Sequence, residues 1–252
     1  ILGLKPTCGL VSRYGLIPYA ESLEQIGPLA RSVEDIALLL DVIAVYDPKD
    51  ATSIPPKYRH QNSCSYPAAL NEYIDEVRKK RAAVISELFS EGVDKRICKS
   101  VYHAVDMLES YDTQIEEVSI PELELALPAY YVIAMAEASS NLARYDGIRY
   151  GYRTAKRGKF YDVISKTRYE GFGEEVRRRI MVGTFVLTAG YYGRYYLKAL
   201  KIRRIIFERF KELFKNFDVA ITPTMPILPP FLGEKMKDPL SLYMMDLCTV
   251  PV

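Results

Sequence analysis

The chain has the length and composition of a globular protein without a dominant charge. Its 252 residues are 49% hydrophobic, which is enough for a sizeable core, and 34 basic residues nearly balance 32 acidic ones for a net charge of +2. Nucleic acid is therefore not expected as the main ligand, and any RNA contact must be local. Because no apolar run approaches the roughly 20 residues of a membrane span and no signal peptide opens the chain, we expect a cytoplasmic protein with no membrane partner.

Cysteine and histidine are too sparse to suggest a metal centre. The chain contains Cys8, Cys64, Cys98 and Cys248, together with His60 and His103. No two cysteines have CxxC spacing, which disfavours zinc and a disulfide framework and predicts a reducing compartment. Walker A, Rossmann and HExxH motifs are also missing from the sequence. We therefore predict that this chain binds no metal.

Glycine and proline interrupt residues 1–31 at short intervals, which excludes a long helix or strand there. Since many apolar residues lie between them, we expect an ordered, largely buried loop region with short extended pieces. Ser32 then occupies the position of a helix N-cap, with Glu34 and Asp35 in the first turn and apolar residues at helical spacing behind them. The sequence predicts that a first helix begins here.

The next part of the chain has the pattern of an α/β unit. The apolar run 82–85 fits a buried strand, residues 93–112 repeat apolar positions as an amphipathic helix does, and residues 113–121 fit a second strand. Farther on we predict helices over 123–145, 170–192 and 198–218, a short buried strand in 218–224, and a short helix from position 239. The predicted fold class is α/β, with a mixed β-sheet covered by many helices.

Three consecutive arginines mark the predicted helix over 170–192. Successive residues turn by about 100°, so Arg177, Arg178 and Arg179 cannot all point to open water if the helix is packed. Arg179 aligns with Val182 and Val186, which indicates the inward side. An inward guanidinium needs an anionic partner, either a structural carboxylate or one from a ligand.

A second charge lies among apolar residues near the end of the chain. Asp246 is surrounded in sequence by Leu, Met, Tyr and Val residues, so its carboxylate needs a hydrogen-bond donor or a cation. Arg179 and Asp246 would match the carboxylate and the ammonium group of a free amino acid, and they would equally match each other. Tyr130 and Tyr131 offer one further candidate site residue, although core tyrosines are common.

A basic, tyrosine-rich segment covers residues 144–169. Such a composition fits an RNA or partner surface, and it fits a solvated loop and helix face equally well.

Several separated blocks of the sequence resemble one family. The block GLKPTCGLVSRYGLIPYAESLEQIGPLARSVEDIALLLDVIA is similar to the segment that follows the serine-rich signature of amidase-signature enzymes. YYVIAMAEASSNLARYDGIRYG, EGFGEEVRRRIMVGTF and DPLSLYMMDLCTVPV resemble the branch of glutamyl-tRNA(Gln) amidotransferase A subunits, which can also act on aspartyl-tRNA(Asn). The blocks occur in the family's order and cover essentially all 252 residues.

The resemblance implies a glutaminase whose ammonia serves a partner. In that family a Ser, cis-Ser, Lys triad hydrolyses glutamine, and the B subunit uses ATP and magnesium to amidate the tRNA-bound glutamate, with the C subunit in the complex. The triad lies N-terminal to the point where this chain begins, and Lys5 is not its lysine. We therefore expect one incomplete domain over 1–252, truncated at both ends, with no catalytic residue and no cofactor of its own, inactive alone and only indirectly related to the aminoacyl-tRNA.

The resemblance also assigns a substrate pocket. Tyr130 matches the family's tyrosine beside the bound glutamine, Arg179 matches the arginine that pairs with its α-carboxylate, and Asp246 matches the aspartate that takes its α-ammonium. Two alternatives stay open: a free-standing amidase of the same superfamily, and a non-catalytic assembly module that only docks a partner protein.

Overall fold

The structure is a computed structural model that describes residues 1–59, 65–72, 80–89, 92–233 and 239–252. Two compact units make up the chain, Ile1–Glu76 and Val77–Val252. The expectation of one incomplete domain over residues 1–252 stays a prediction.

The described residues of the first unit form a small sheet and two α-helices. Strands β1 (Leu2–Gly3) and β2 (Leu29–Ala30) pair antiparallel, and they are followed by α1 (Val33–Ile43), a 3-10 turn (Pro56–Tyr58) and α2 (Tyr66–Glu72). The predicted N-cap is confirmed, since the Ser32 hydroxyl accepts a hydrogen bond of 3.1 Å from the backbone N–H of Asp35.

The loops of the first unit are ordered, but the prediction that they are largely buried is wrong. Arg59 ties them together by donating to the carbonyls of Leu10, Ala44 and Ile54 at 2.7 to 3.1 Å. Large apolar side chains nevertheless remain exposed, namely Leu2, Leu4, Tyr14, Leu16, Ile17 and Leu29. An apolar side chain is buried only where another element covers it, and the described elements of this unit are too few and too short to do so.

The second unit is built on a three-stranded parallel sheet in the order β4-β3-β5. Its elements are β3 (Arg81–Ile85), α3 (Lys95–Ser110), β4 (Gln114–Val118) and β5 (Val219–Ile221). The strand β3 is central, and its apolar run is buried as expected for a parallel strand flanked on both sides. The predicted strand–helix–strand unit is confirmed, and with it the α/β fold class.

Helices account for most of the second unit. Besides α3 they are α4 (Ala126–Asn141), α5 (Phe160–Gly171), α6 (Glu174–Leu187), α7 (Tyr196–Leu213) and α8 (Pro239–Met244). Three 3-10 turns are also described in this unit, Ser86–Phe89, Pro121–Leu125 and Leu142–Arg144. Among the described residues, none of these helices combines the length and the apolar composition that crossing a bilayer requires.

Helix α4 lies at the centre of this unit and packs against both α6 and α7. Its small side chains Ala134, Ala136, Ala138 and Ser139 are buried, and small side chains of this kind let neighbouring helices approach closely. The main apolar core joins the sheet, the 3-10 turn Pro121–Leu125 and α7 through Ala83, Ile85, Leu88, Ile120, Leu123, Ala126, Ile206 and Leu213. This core anchors α4 through Ala126, and α6 packs on α4, so that the two helices that carry most of the candidate site are held together.

Candidate functional site

The three arginines of α6 have three different environments. The Arg177 guanidinium stacks over the Tyr169 ring at 4.2 Å, whereas Arg178 pairs with Glu174 at 3.3 Å and also with Glu175. Arg179 is more enclosed than Arg178, with 27% of its side chain exposed against 41%, and its Nε donates to Oε1 of Glu175 at 3.0 Å. Arg179 thus has a structural carboxylate as an anionic partner, one turn earlier on the same helix, which was one of the two predicted alternatives.

Asp246 receives the hydrogen bond that its apolar surroundings require. It lies half-buried in the turn that follows α8, where the Tyr131 hydroxyl donates to its Oδ2 at 2.5 Å. Tyr131 belongs to α4, next to the sequence-predicted Tyr130, and the two rings lie 4.9 Å apart edge to face. Tyr131 therefore makes the hydrogen bond to Asp246, and the predicted Tyr130 lies next to it.

Tyr243 connects the surroundings of the two charges. Its ring lies 4.6 Å from the Tyr131 ring, and its hydroxyl donates to Oε1 of Glu175 at 2.6 Å. The Arg179 guanidinium carbon lies 5.8 Å from the centre of the Tyr243 ring. Tyr131, Glu175, Arg179, Tyr243 and Asp246 form a continuous set of contacts, which we name the charge network.

Burial and charge set the protonation states within the charge network. Burial raises the pKa of Tyr131, and the hydrogen bond to Asp246 raises it further. Burial and the hydrogen bond to Glu175 raise the pKa of Tyr243 in the same way. Burial alone would raise the pKa of Glu175, but its hydrogen bonds from Tyr243 and Arg179, together with the charges of Arg179 and Arg178, outweigh burial and lower the pKa. Both tyrosines are therefore hydrogen-bond donors at neutral pH, and Glu175 is a charged acceptor.

The chemistry at the two ends of the charge network is of opposite sign. A guanidinium carries five N–H donors in one plane, so an arginine has the geometry to contact more than one carboxylate. A carboxylate offers about four acceptor positions, so Asp246 can accept from Tyr131 and still bind an ammonium group. The arrangement thus suits a small ligand with one negative and one positive group.

Two members of the charge network, Glu175 and Tyr243, were not predicted as site residues, and Tyr131 was one of two alternatives. Glu175 could have been found, because it lies four residues before Arg179 and so shares its helix face. Tyr243 gives only the weaker signal of a position three residues before Asp246. The choice between Tyr130 and Tyr131 depends on the rotation of α4 about its axis, which consecutive residues in a largely apolar helix do not specify.

The other candidates contribute less. In the described part of the chain no group of three His, Cys, Asp or Glu residues could hold a metal ion, and Cys8, Cys98 and Cys248 are free thiols. His60 and Cys64 lie outside the described residues.

Several basic side chains of segment 144–169 form ion pairs or hydrogen bonds within the protein. Arg149 pairs with Asp146 and Lys156 with Glu170, each at 3.3 Å. Arg168 donates to the backbone carbonyl of Leu142 at 2.8 Å. The role of this segment as an RNA or partner surface stays a prediction.

Comparison with known proteins identifies the family. The model of the amidase family matches residues 1–252, so the chain belongs to that family. Within it, the chain is 49% identical over 252 residues to the A subunit of glutamyl-tRNA(Gln) amidotransferase from Acaryochloris marina, covering 100% of this chain and 51% of that protein. The corresponding A subunit from Methanococcoides burtonii is 53% identical over 254 residues, again covering 100% of this chain and 51% of the relative.

A solved structure is similar to this chain in fold as well as in sequence. The crystal structure of the glutamyl-tRNA(Gln) amidotransferase A subunit from Thermotoga maritima superimposes with a TM-score of 0.71 at 38% identity, covering 98% of this chain and 47% of that one. The chain therefore spans about half the length of the curated relatives it matches, and its sequence and fold are similar to that part of the A subunits.

Proposed function

We propose that this chain forms the glutamine-binding half of a glutaminase subunit that supplies ammonia for the conversion of Glu-tRNA(Gln) to Gln-tRNA(Gln). The charge network carries the proposal, because it gathers one cation, Arg179, and one anion, Asp246, into a single half-buried cluster. In this assignment Arg179 binds the α-carboxylate of glutamine, Asp246 binds its α-ammonium, and Tyr130 lines the same pocket.

The two charges favour a free amino acid over a simple amide. A ligand that lacks either group desolvates Arg179 or Asp246 without supplying the opposite charge, and such a mismatch lowers affinity more than the loss of an apolar contact does. Glutamine carries both charged groups on one carbon, and its amide is two methylenes away. Binding the two charged groups therefore also fixes the position of the amide.

The remaining steps of the reaction belong outside this chain in our proposal. We assign the Ser, cis-Ser, Lys triad to the part of the A subunits that the chain does not cover. The ammonia then passes to the B subunit, which uses ATP and magnesium to amidate the tRNA-bound glutamate in a cytoplasmic complex completed by the C subunit. The 49% and 53% identity to A subunits along the whole chain supports this placement.

Substitution of the two charges tests the proposal. In the intact gene product, assembled with its partner subunits, we expect Arg179→Ala and Asp246→Ala each to lower kcat/KM for ammonia release from glutamine by about a hundredfold. Arg177→Ala is the matched control, because Arg177 is on the same helix but contacts Tyr169 instead. Unchanged glutamine hydrolysis in both site variants would refute the proposed pocket.

The same assay separates the two alternatives. A free-standing amidase would hydrolyse an uncharged amide such as propionamide as well as glutamine, and it would need no partner protein. A non-catalytic assembly module would retain full amidation activity when Arg179 and Asp246 are both replaced.

A further inference from the structure

We propose that Tyr131, Tyr243 and Glu175 are positioning residues, which hold Asp246 and Arg179 at the separation and orientation that the two charged ends of glutamine require. This inference rests on the proposed function, and it deepens it by assigning the support of the pocket rather than the pocket itself. The three residues act through Asp246 and Arg179 and take no part in cleaving the amide.

Tyr131 supports the anionic end. Asp246 lies in a turn outside regular secondary structure, so the backbone alone does not fix its side chain. Tyr131 projects from α4, a helix of 16 residues that is buried along most of its length. Its 2.5 Å hydrogen bond to Oδ2 ties the carboxylate to this rigid element and uses only one of its acceptor positions.

Glu175 supports the cationic end. An arginine side chain is long and flexible, and it binds a carboxylate well only when its planar guanidinium is held in the right orientation. Oε1 of Glu175 accepts from Nε of Arg179 at 3.0 Å, so this edge of the guanidinium is occupied by the protein. This contact fixes the plane of the guanidinium, and with it the orientation in which Arg179 meets a ligand carboxylate.

Tyr243 joins the two supports. The same Oε1 of Glu175 accepts from the Tyr243 hydroxyl at 2.6 Å, and the Tyr243 ring packs on the Tyr131 ring at 4.6 Å. Tyr243 lies in α8, three residues before Asp246. One side chain therefore connects α4, α6 and the segment that carries Asp246, and the distance between the two charges follows from these contacts.

Truncated substrates give the test, because they report on each end separately. Glutaramic acid is glutamine without the α-ammonium group, and 4-aminobutanamide is glutamine without the α-carboxylate. We expect Tyr131→Phe to reduce the preference for glutamine over glutaramic acid, measured as the ratio of kcat/KM values, by about tenfold. The preference over 4-aminobutanamide should not change, since both of those substrates carry the ammonium group.

Variants at the other end should give the opposite pattern. We expect Glu175→Gln and Tyr243→Phe to reduce the preference for glutamine over 4-aminobutanamide by about tenfold and to leave the preference over glutaramic acid unchanged. General damage to the fold would lower kcat/KM for all three substrates together and would leave both ratios unchanged.

Two surface variants are matched controls. Tyr152→Phe removes a tyrosine hydroxyl that donates to a carboxylate, that of Glu170, at 2.9 Å. Glu174→Gln makes the same chemical change as Glu175→Gln one residue earlier, where the carboxylate pairs with Arg178. Both should retain the kcat/KM values of the wild type for all three substrates.

The outcomes distinguish this inference from the proposed function. Unchanged ratios in both Tyr131→Phe and Glu175→Gln, alongside a large loss in Arg179→Ala and Asp246→Ala, would overturn the positioning roles and leave the glutamine pocket intact. A wild-type complex that releases no ammonia from glutamine would overturn both proposals at once.

Discussion

Glu175 accepts from three side chains with a single carboxylate, since Arg178 also pairs with it. It neutralises a half-buried arginine that would otherwise be poorly solvated, and it also accepts the Tyr243 hydroxyl. The competition between burial and these donors is resolved in favour of the charged form, since the pKa of Glu175 is lowered in spite of desolvation. Such a group keeps its neighbours in place above its ordinary titration range and loses this effect as the pH falls through its pKa in the folded protein.

Cys248 gives a prediction at the same scale. The residue is 2% exposed, and burial, assisted by nearby Cys98, raises the pKa of its thiol to about 11. Because the thiolate is the reactive form, we expect negligible alkylation of Cys248 by iodoacetamide at pH 8 in the folded protein. The raised pKa adds stability that is fully present below the ordinary pKa of a thiol and is lost as the pH rises through about 11.

Peptide mass spectrometry after timed alkylation checks this expectation. Cys8 is the internal control, because it is exposed and should react at pH 8. Unfolding in denaturant should bring the labelling rate of Cys248 up to that of Cys8. Equal rates in the folded protein would contradict the burial of Cys248.

At the scale of elements, the site depends on the close approach of α4 and α6. The backbone of Gly183 in α6 lies so near α4 that an added Cβ would be 1.9 Å from the carbonyl oxygen of Met135 and 2.9 Å from Cβ of Ser139. The nearest atoms are backbone and cannot rotate away as a flexible side chain can. Since α4 carries Tyr131 and α6 carries Arg179, the spacing of these helices determines the geometry of the charge network.

We therefore expect Gly183→Ala to destabilise the protein and to impair glutamine hydrolysis. In an exposed helix the same change would stabilise by about 1 kcal/mol. Forcing the two backbones apart should outweigh this gain and lower the free energy of unfolding by about 2 kcal/mol. Denaturant unfolding of the intact gene product measures the change, with Gly193→Ala as the control, because nothing lies within 4 Å of an added Cβ there. A Gly183→Ala variant as stable as the wild type would contradict the close approach.

Elements with strong local signals could be predicted from the sequence, whereas others could not. Local sequence patterns indicate three elements: the Ser32 cap, the buried strand β3 and the amphipathic helix α3. The structure confirms all three. Helix α5 was not separated from its surroundings, because its tyrosines and basic residues do not form a clear apolar stripe. The strand order β4-β3-β5 depends on pairing between distant segments, which local patterns do not encode.

The site could be predicted in its charges but not in its connections. Arg179 and Asp246 each lie among apolar neighbours in sequence, and that conflict is visible without a structure. The link through Tyr243 and Tyr131 depends on how α8 packs against α4, so it follows from the fold alone.

At the scale of the whole molecule, many large apolar side chains are exposed in this chain. In α1 the exposed fractions reach 57% for Leu38 and 74% for Val42, and in the second unit Met181 is 72% exposed. In the described part of the second unit, moreover, the outer strands β4 and β5 each pair on one side only. Apolar faces and unpaired strand edges of this kind promote association unless other protein covers them.

We therefore expect the 252-residue chain, expressed alone, to be poorly soluble and to bind a hydrophobic fluorescent dye strongly, whereas the intact gene product should bind little. It should also release no ammonia from glutamine, because we assign the nucleophile to the part of the A subunits that it does not cover. Dye fluorescence, sedimentation and ammonia release, measured on both proteins, check these expectations. A sharp, reversible two-state melt of the isolated chain would contradict the expected poor solubility. It would mean that the exposed apolar residues need no other protein to cover them.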